Sequence, residues 1–209
     1  TRNYSDLLNF TPLFAVWALL SQDQSSLISS LQITSFQMFC DTLIPIWAKD
    51  KNILTKAITV LVTETVPKDN EVEDYLFLCI LLGRINIAKR IARIKHRKKL
   101  ETFLSSPYLE ANNKNKSEAH SDDTKEREKL LKKMEKSAYE AQKMHRFSLS
   151  AMFFLLRNMH QQAFIILKKM KMLYIIACRI LDKDDWPQMI EGMFLNDFYS
   201  KYWTEKLKS

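Results

Sequence analysis

The fold of this chain is decided by residues 147–182, which read FSLSAMFFLLRNMHQQAFIILKKMKMLYIIACRILD. Apolar side chains recur there at the three- and four-residue spacing of helices, in segments separated by short polar interruptions. The spacing predicts helices near 147–158, 160–170 and 172–182. They lie in a run from 108 to 186 that contains neither glycine nor proline, so tight β-turns are not expected.

The whole chain is poor in glycine, with two among 209 residues. Phosphate-binding loops, dinucleotide-binding motifs and nucleophile elbows all need glycine where the backbone turns sharply or approaches a ligand. The composition therefore predicts an all-α fold and argues against these classes of enzyme. With 46% hydrophobic residues the chain can bury a substantial core. No apolar stretch reaches the roughly 18 residues that cross a bilayer.

Further helices are predicted in the first part of the chain. Pro12 starts one of them, as a proline in the first turn. The next begins near Thr34 and ends or kinks near Pro45. Asp50 is the predicted N-cap of a third helix, which ends before Pro67. The pattern indicates short helices joined by short turns.

A helix over Asp74–Leu82 is predicted to be central, because it is apolar on nearly every side. Gly83 follows it, at a position where helix ends favour a left-handed residue. Positions 84–99 then hold eight lysines and arginines and no acid. We expect this segment to be a helix in which Ile87, Ala88, Ile91 and Ile94 face the core and Arg90, Arg93 and Arg97 face solvent.

Composition divides the chain into a helical segment (1–110), a polar insert or linker (111–123) and a helical-hairpin segment (124–209). The last part starts with a long charged helix, predicted from about 124 to 144. One small residue recurs in each of its proposed helices: Ala138, Ala151, Ala163 and Ala177. We therefore predict an α-solenoid of stacked short helical hairpins. The start at Thr1, without a signal-peptide pattern, leads us to expect a piece of a longer polypeptide.

Several motifs resemble those of a known family. In order they are Ala15-Val-Trp17-Ala-Leu-Leu-Ser21, Ile46-Trp47 followed by Asp50 and Asn52, Lys136-Ser-Ala-Tyr139, His145-Arg-Phe147, Ser150-Ala-Met-Phe-Phe-Leu-Leu156 and Gln162-Ala163. Together they resemble the helical C-terminal region of the large WD-repeat subunit of the RAVE complex, the DmX or rabconnectin alpha family. The similarity covers residues 13–181 in patches. Where that family has glycine after Phe-Phe-Leu-Leu, this chain has Asn158, which tolerates the left-handed conformation.

The resemblance implies a non-enzymatic assembly factor. The family is associated with joining the peripheral and membrane sectors of the vacuolar proton pump. It therefore implies that the partners are peripheral-sector subunits of the V-ATPase and other subunits of a RAVE-like complex. It also implies a WD-repeat region in the same polypeptide, and a cytoplasmic location with peripheral attachment to endosomal or vacuolar membranes through partners. It implies no catalytic residue and no cofactor.

The basic helix is the first candidate binding site, since it contains much of the formal net charge of +8. The predicted contacts are Arg90, Arg93, Arg97 and Lys98. Such a face is either simply solvated, or binds an acidic protein, or binds nucleic acid or anionic lipid. Phe103 is the only aromatic residue near it, whereas proteins that bind single strands usually stack several aromatics on the bases. A helical-repeat nucleic-acid-binding module that uses the face 84–99 is the alternative function.

The aromatic C-terminal segment is the second candidate, with Trp186, Phe198, Tyr202 and Trp203 as a possible interface. It either packs on the preceding hairpins or contacts a neighbour. The histidines (His96, His120, His145 and His160) and the three cysteines lie at none of the spacings typical of metal ligands. Cys79 lies within Leu-Cys-Ile-Leu-Leu, where burial is expected to raise the pKa of its thiol and leave it unreactive. We expect no catalytic site.

Overall fold

The computed structural model describes residues 17–106, 109, 121–184 and 187–188. Regular structure in these ranges is helical and includes no strand, so the all-α prediction is confirmed for them. The first helices are α1 (Gln24–Ser30), α2 (Phe36–Asp41), α3 (Ile44–Trp47), α4 (Lys51–Glu64), α5 (Val72–Leu81), α6 (Ile85–Ile94) and α7 (Lys98–Leu104). The last three residues of the predicted polar insert belong to the next helix. The helices there are α8 (Ser121–Lys143), α9 (Phe147–Leu156), α10 (His160–Leu167) and α11 (Lys171–Ile180). No helix of the described residues is long and apolar enough to cross a membrane.

Side-chain caps fix the starts of two early helices. The Ser35 hydroxyl accepts a hydrogen bond from a backbone N–H of α2, and the Asp50 carboxylate does the same for α4 at 2.8 Å, as predicted. The helix predicted to end or kink near Pro45 does break there, two residues before the proline. Leu43 has a left-handed φ of 55° and divides the segment into α2 and α3. Pro45 lies in the first turn of α3, where its missing N–H has no intrahelical partner to lose.

One turn geometry recurs at five helix ends. The residue just past the helix cap is left-handed at Gly83, His96, His145, Asn158 and Asp182, with φ between 53° and 67°. The next N–H donates to the carbonyl five residues earlier, at 2.7 to 2.9 Å. This is the hydrogen bond of a Schellman helix end. The sequence predicted it at Gly83 and Asn158 but not at the other positions, because histidine and aspartate adopt this conformation less readily than glycine.

Replacing His96 with glycine is expected to raise the free energy of unfolding by about 0.5 to 1 kcal/mol, because it relieves a left-handed non-glycine residue. The matched change Gly83→Ala should lower it by a similar amount. The φ at Gly83 is 67° and no atom lies within 4 Å of the added Cβ, so backbone strain alone acts there. Urea unfolding of the three proteins measures both effects. If the three proteins had the same urea midpoint, the left-handed conformation at Gly83 and His96 would be contradicted.

Helices α5 and α9 form the centre of the molecule. Helix α5 packs against α4, α6, α9 and α11, and α9 packs against α5, α8 and α10. Phe77 and Leu78 in α5 and Ala151 and Met152 in α9 are completely buried. The central position predicted for α5 is therefore confirmed. The small residues predicted for the hairpin segment are also completely buried: Ala138, Ala151, Ala163 and Ala177.

Two polar contacts tie the first turn of α5 to the start of α9. Arg146 Nε donates to Glu73 Oε1 at 2.6 Å, and the Ser148 hydroxyl donates to the Asp74 carboxylate. Burial raises the pKa of Asp74 to about 6, although the hydrogen bond from Ser148 acts in the opposite direction. These contacts join residues 73 and 74 positions apart in sequence.

The last described helix returns to the first ones. The Arg179 guanidinium donates to the Pro45 carbonyl at 2.8 Å and to the Ala48 carbonyl. Carbonyls at a helix end lack intrahelical donors. The guanidinium therefore donates to carbonyls at the end of the short helix α3 that have no donor within the helix. Lys51 Nζ lies 2.6 Å from Asp182 Oδ2. The parts of the chain before and after the polar insert therefore contact each other both at α5–α9 and at α11–α3.

Some predicted orientations and helix ends are wrong. Ile94, predicted to face the core, is 48% exposed because it is the last residue of α6, where the chain turns away. Helix α8 begins at Ser121, three residues before the predicted start. Helices α9 to α11 end two or three residues early, since those residues form the turns.

Changing Asp74 to asparagine should stabilise the protein at neutral pH. The carboxyl has a pKa of about 6 in the folded protein, raised from 3.8. The stability that it contributes is complete below the lower pKa and is lost as the pH rises through the higher one. The wild type should therefore lose up to about 3 kcal/mol from this group between about pH 4 and pH 7.

The asparagine variant keeps an oxygen that can accept the Ser148 hydrogen bond, and it has no carboxyl to ionise. Its advantage over the wild type in urea unfolding should therefore grow with pH across this range. A constant difference between the two proteins would mean that Asp74 is not buried as described.

Candidate interaction surface

The basic surface is defined by the four predicted contacts Arg90, Arg93, Arg97 and Lys98, all of which are exposed. It lies on α6, on the turn after it and at the start of α7. Helix α6 buries Ala88, Ile91 and Ala92. That spacing turns the arginines of the same helix toward solvent, as the sequence predicted.

Two of the four cations are held by other groups of the chain. Arg93 Nε lies 2.7 Å from Glu101 Oε1, and Arg90 Nη2 donates to the Thr63 carbonyl at 3.3 Å. An ion pair between exposed side chains contributes little to stability, but it does neutralise part of the local charge. The N-terminal half of the basic surface is therefore less positive than its sequence suggests.

Arg97 and Lys98 keep their charge available to a partner. Together with the adjacent Lys99 they form no ion pair with any described residue. The nearby Asp69 is engaged by Lys95 at 2.8 Å. The hydrogen bond and charge of Lys95, with a smaller contribution from Arg97, lower the pKa of Asp69. The strongest positive charge thus lies at the start of α7.

A groove of about 510 Å³ opens beside this charge. Its α7 side includes Arg97, Lys98, Lys99 and Leu100, and its α8–α9 side includes Ala141, Met144, Leu149 and Phe153. Met144 is 66% exposed, which is unusual for a large apolar side chain. The sequence did not predict this groove, because its sides come from positions near 98 and near 145 that only the packing of α5 on α9 brings together.

The ring of Phe103 is used inside the protein. It lies edge-on to Phe153, with the ring centroids 5.2 Å apart. The only aromatic residue that the sequence offered near the basic surface is therefore occupied by packing. It does not provide the exposed ring on which a nucleic-acid base would stack.

The structure describes only some of the other candidate binding and metal-ligating residues. Trp186, Phe198, Tyr202, Trp203 and His120 lie outside the described residues. His96, His145 and His160 are exposed at separate turns. Across the described ranges, no three His, Cys, Asp or Glu side chains are grouped as a metal site would require. Burial raises the pKa of the Cys79 thiol to about 12, as expected.

Residues of two motifs of the family resemblance contact one another between α8 and α9. The Ser150 hydroxyl donates to the Ala138 carbonyl at 2.8 Å, and the rings of Tyr139 and Phe154 meet edge-on at 5.2 Å. These residues belong to motifs on α8 and α9. These contacts concern how two helices pack, and they do not by themselves identify a binding surface.

No protein-family model and no curated protein matches this chain.

Reversing two charges at the start of α7 should leave the fold intact. The double change Arg97→Glu and Lys98→Glu is expected to shift the free energy of unfolding by no more than about 0.5 kcal/mol, because neither side chain has an ion-pair partner among the described residues. Arg93→Glu should cost about 1 kcal/mol, since it places a carboxylate beside Glu101.

Thermal unfolding followed by circular dichroism compares these variants. If the double variant lost as much stability as Arg93→Glu or more, Arg97 and Lys98 would be structural residues. They would then no longer qualify as partner contacts.

Proposed function

We propose that this chain is a non-enzymatic protein-interaction scaffold whose basic surface binds an acidic region of a partner protein. The observation that carries the proposal is the succession of exposed cations at Arg97 and Lys98, with no ion pair to a described residue, next to an apolar groove. Charge that a protein leaves uncompensated attracts surfaces of opposite charge and orients them during association. An apolar groove beside that charge supplies area that association can bury.

The proposed partners come from the resemblance to the RAVE large-subunit family. They are peripheral-sector subunits of the V-ATPase and other subunits of a RAVE-like complex. The role is assembly and regulation of the vacuolar proton pump, in the cytoplasm and at endosomal or vacuolar membranes through those partners. The φ of 61° at Asn158, where the family has glycine, supports the likeness.

The α-solenoid arrangement belongs to the same proposal. The recurring Schellman turns support it, because four of them join one helix to the next with the same three-residue geometry. Stacked helical hairpins present a long surface to which partner proteins can bind, and a scaffold requires such a surface. The contacts of α11 with α3 and α4 join helices that are not neighbours in sequence, and they are additional to those of a simple stack.

Nucleic-acid binding is the weaker alternative. Phosphate contacts need exposed Lys and Arg, which the basic surface has. However, Arg93 is paired with Glu101 at 2.7 Å, and Phe103 is packed on Phe153. None of the described residues that line the groove beside these cations is an exposed Phe, Tyr or Trp, so stacking on them does not add to the electrostatic attraction.

A pull-down with purified V-ATPase peripheral-sector subunits tests the proposal. We expect capture that persists at roughly physiological salt and weakens, without disappearing, at several-fold higher salt, because apolar burial accompanies the charge contacts. The double variant Arg97→Glu and Lys98→Glu should lose capture, whereas Lys125→Glu, an exposed charge reversal on α8 about three turns before the groove lining, should keep it.

RNA and anionic vesicles are included as competitors. Capture of RNA or vesicles alone, abolished by salt, would replace the scaffold proposal with a charge-driven binder. If both charge-reversal variants still captured a pump subunit, that subunit would remain a partner, but the basic surface would not be part of the interface.

A further inference from the structure

We infer that the groove between α7 and the α8–α9 hairpin is the docking site for an acidic amphipathic helix of a partner protein. The apolar side of this helix would lie on the groove, and its acidic side would face Arg97, Lys98 and Lys99. The inference rests on the proposed function, and it specifies the kind of segment that the basic surface binds.

The shape of the groove supports a single inserted segment. Its volume of about 510 Å³ falls within the range of sites that accept a few side chains, and it is too small for a folded domain. Apolar residues from three helices line it, among them Leu100, Met144 and Leu149. A helix places apolar side chains at three- and four-residue spacing into such grooves. Met144 is suited to this contact because its flexible side chain adapts to different apolar partners.

The distribution of charge selects an acidic helix over a neutral or basic one. On the α7 side, Arg97, Lys98 and Lys99 have no ion pair with any described residue. Arg146, which also lines the groove, is held by Glu73 at 2.6 Å. The one carboxylate of the lining is Glu140. A segment with acids along one edge would pair with the free cations, whereas a neutral helix would leave them unpaired beside buried apolar area.

The polar insert of this chain is a poor occupant on composition. Residues 111–123 read ANNKNKSEAHSDD, with alanines as the only apolar side chains and two lysines among the acids. Such a segment lacks the large apolar residues that would fill the groove. A partner segment with leucine or phenylalanine at helical spacing supplies them.

The direct test is binding of a synthetic helical peptide to the full chain. The probe has Leu and Phe on one face and Glu on the other positions, and it carries a fluorophore for anisotropy. One control peptide has the same composition in scrambled order, so that the apolar face is lost at constant charge. A second control replaces each Glu with Lys. We expect the amphipathic acidic peptide to bind at least about tenfold more tightly than either control.

Two substitutions address the groove without touching Arg97 or Lys98. Ser137→Trp places a large ring inside the lining. Its matched control is Gln142→Trp, because Gln142 is also neutral, half-buried and on α8 but does not line the groove. Met144→Glu introduces a carboxylate at an exposed apolar position, and Met144→Ala controls for loss of the methionine. Ser137→Trp and Met144→Glu should each weaken the peptide about tenfold or more, and Gln142→Trp should not.

The outcomes separate this inference from the proposed function. If Arg97→Glu with Lys98→Glu abolishes binding while Ser137→Trp and Met144→Glu leave it unchanged, the basic surface binds acidic segments and the groove does not. Equal binding of the scrambled peptide would also overturn the groove. If no acidic peptide binds, both proposals fail. Circular dichroism of each variant establishes that it is folded, and two independent groove substitutions keep the test decisive if one of them is not.

Discussion

The structure depends on the burial of two helices that are apolar on almost every side. A helix of this kind cannot lie on a surface, so both α5 and α9 must be covered by other elements. The simplest cover is each other, and the remaining sides are filled by α4, α6, α8, α10 and α11. Their mutual contact brings the segments before and after the polar insert into one body. It also places α7 beside α8, which creates the groove.

Polar groups at the edge of this contact determine its register. Glu73 pairs with Arg146, and Asp74 accepts the Ser148 hydroxyl, at the point where both helices begin. Apolar packing alone tolerates sliding of one helix along another, whereas a buried carboxylate tolerates only positions that satisfy it. The cost is a carboxyl whose pKa is raised to about 6 by burial. We hypothesise that the protein loses some stability near neutral pH and gains one defined register of α9 on α5. The pH dependence of the free energy of unfolding tests this hypothesis.

Much of the fold could be predicted from local sequence, because helix caps and apolar helix faces depend on residues that are close together in the chain. The scarcity of glycine, the apolar α5 and the Asp50 cap each have a local physical cause. The left-handed residues His96, His145 and Asp182 could not be predicted in this way. At His96 and His145 the conformation is imposed by the helices on both sides, which must pack before the turn is fixed, and it overrides the intrinsic preference of histidine.

The candidate site was predictable only in part. The spacing of α6 predicted which arginines face solvent, but not that Glu101 would take up Arg93, since that pair joins two helices across a turn. The groove was not predictable at all, because it combines residues separated by the polar insert. Surface chemistry of this kind follows from tertiary contacts rather than from residues close together in sequence. The proposed binding surface therefore depends on the arrangement of helices, whereas the proposed partners depend on the motif resemblance.

The central claim is that α5 and α9 form one cooperative core across the polar insert, on which both the surface and the groove depend. Native-state hydrogen exchange at increasing low concentrations of denaturant measures it most directly, by giving an opening free energy for each helix. If the core is single, amides of α5 and α9 share the highest opening free energy and respond to denaturant together. If α9 exchanged with α8 and α10 at a clearly lower opening free energy than α5, the two parts of the chain would unfold independently, and α5 and α9 would not form one cooperative core.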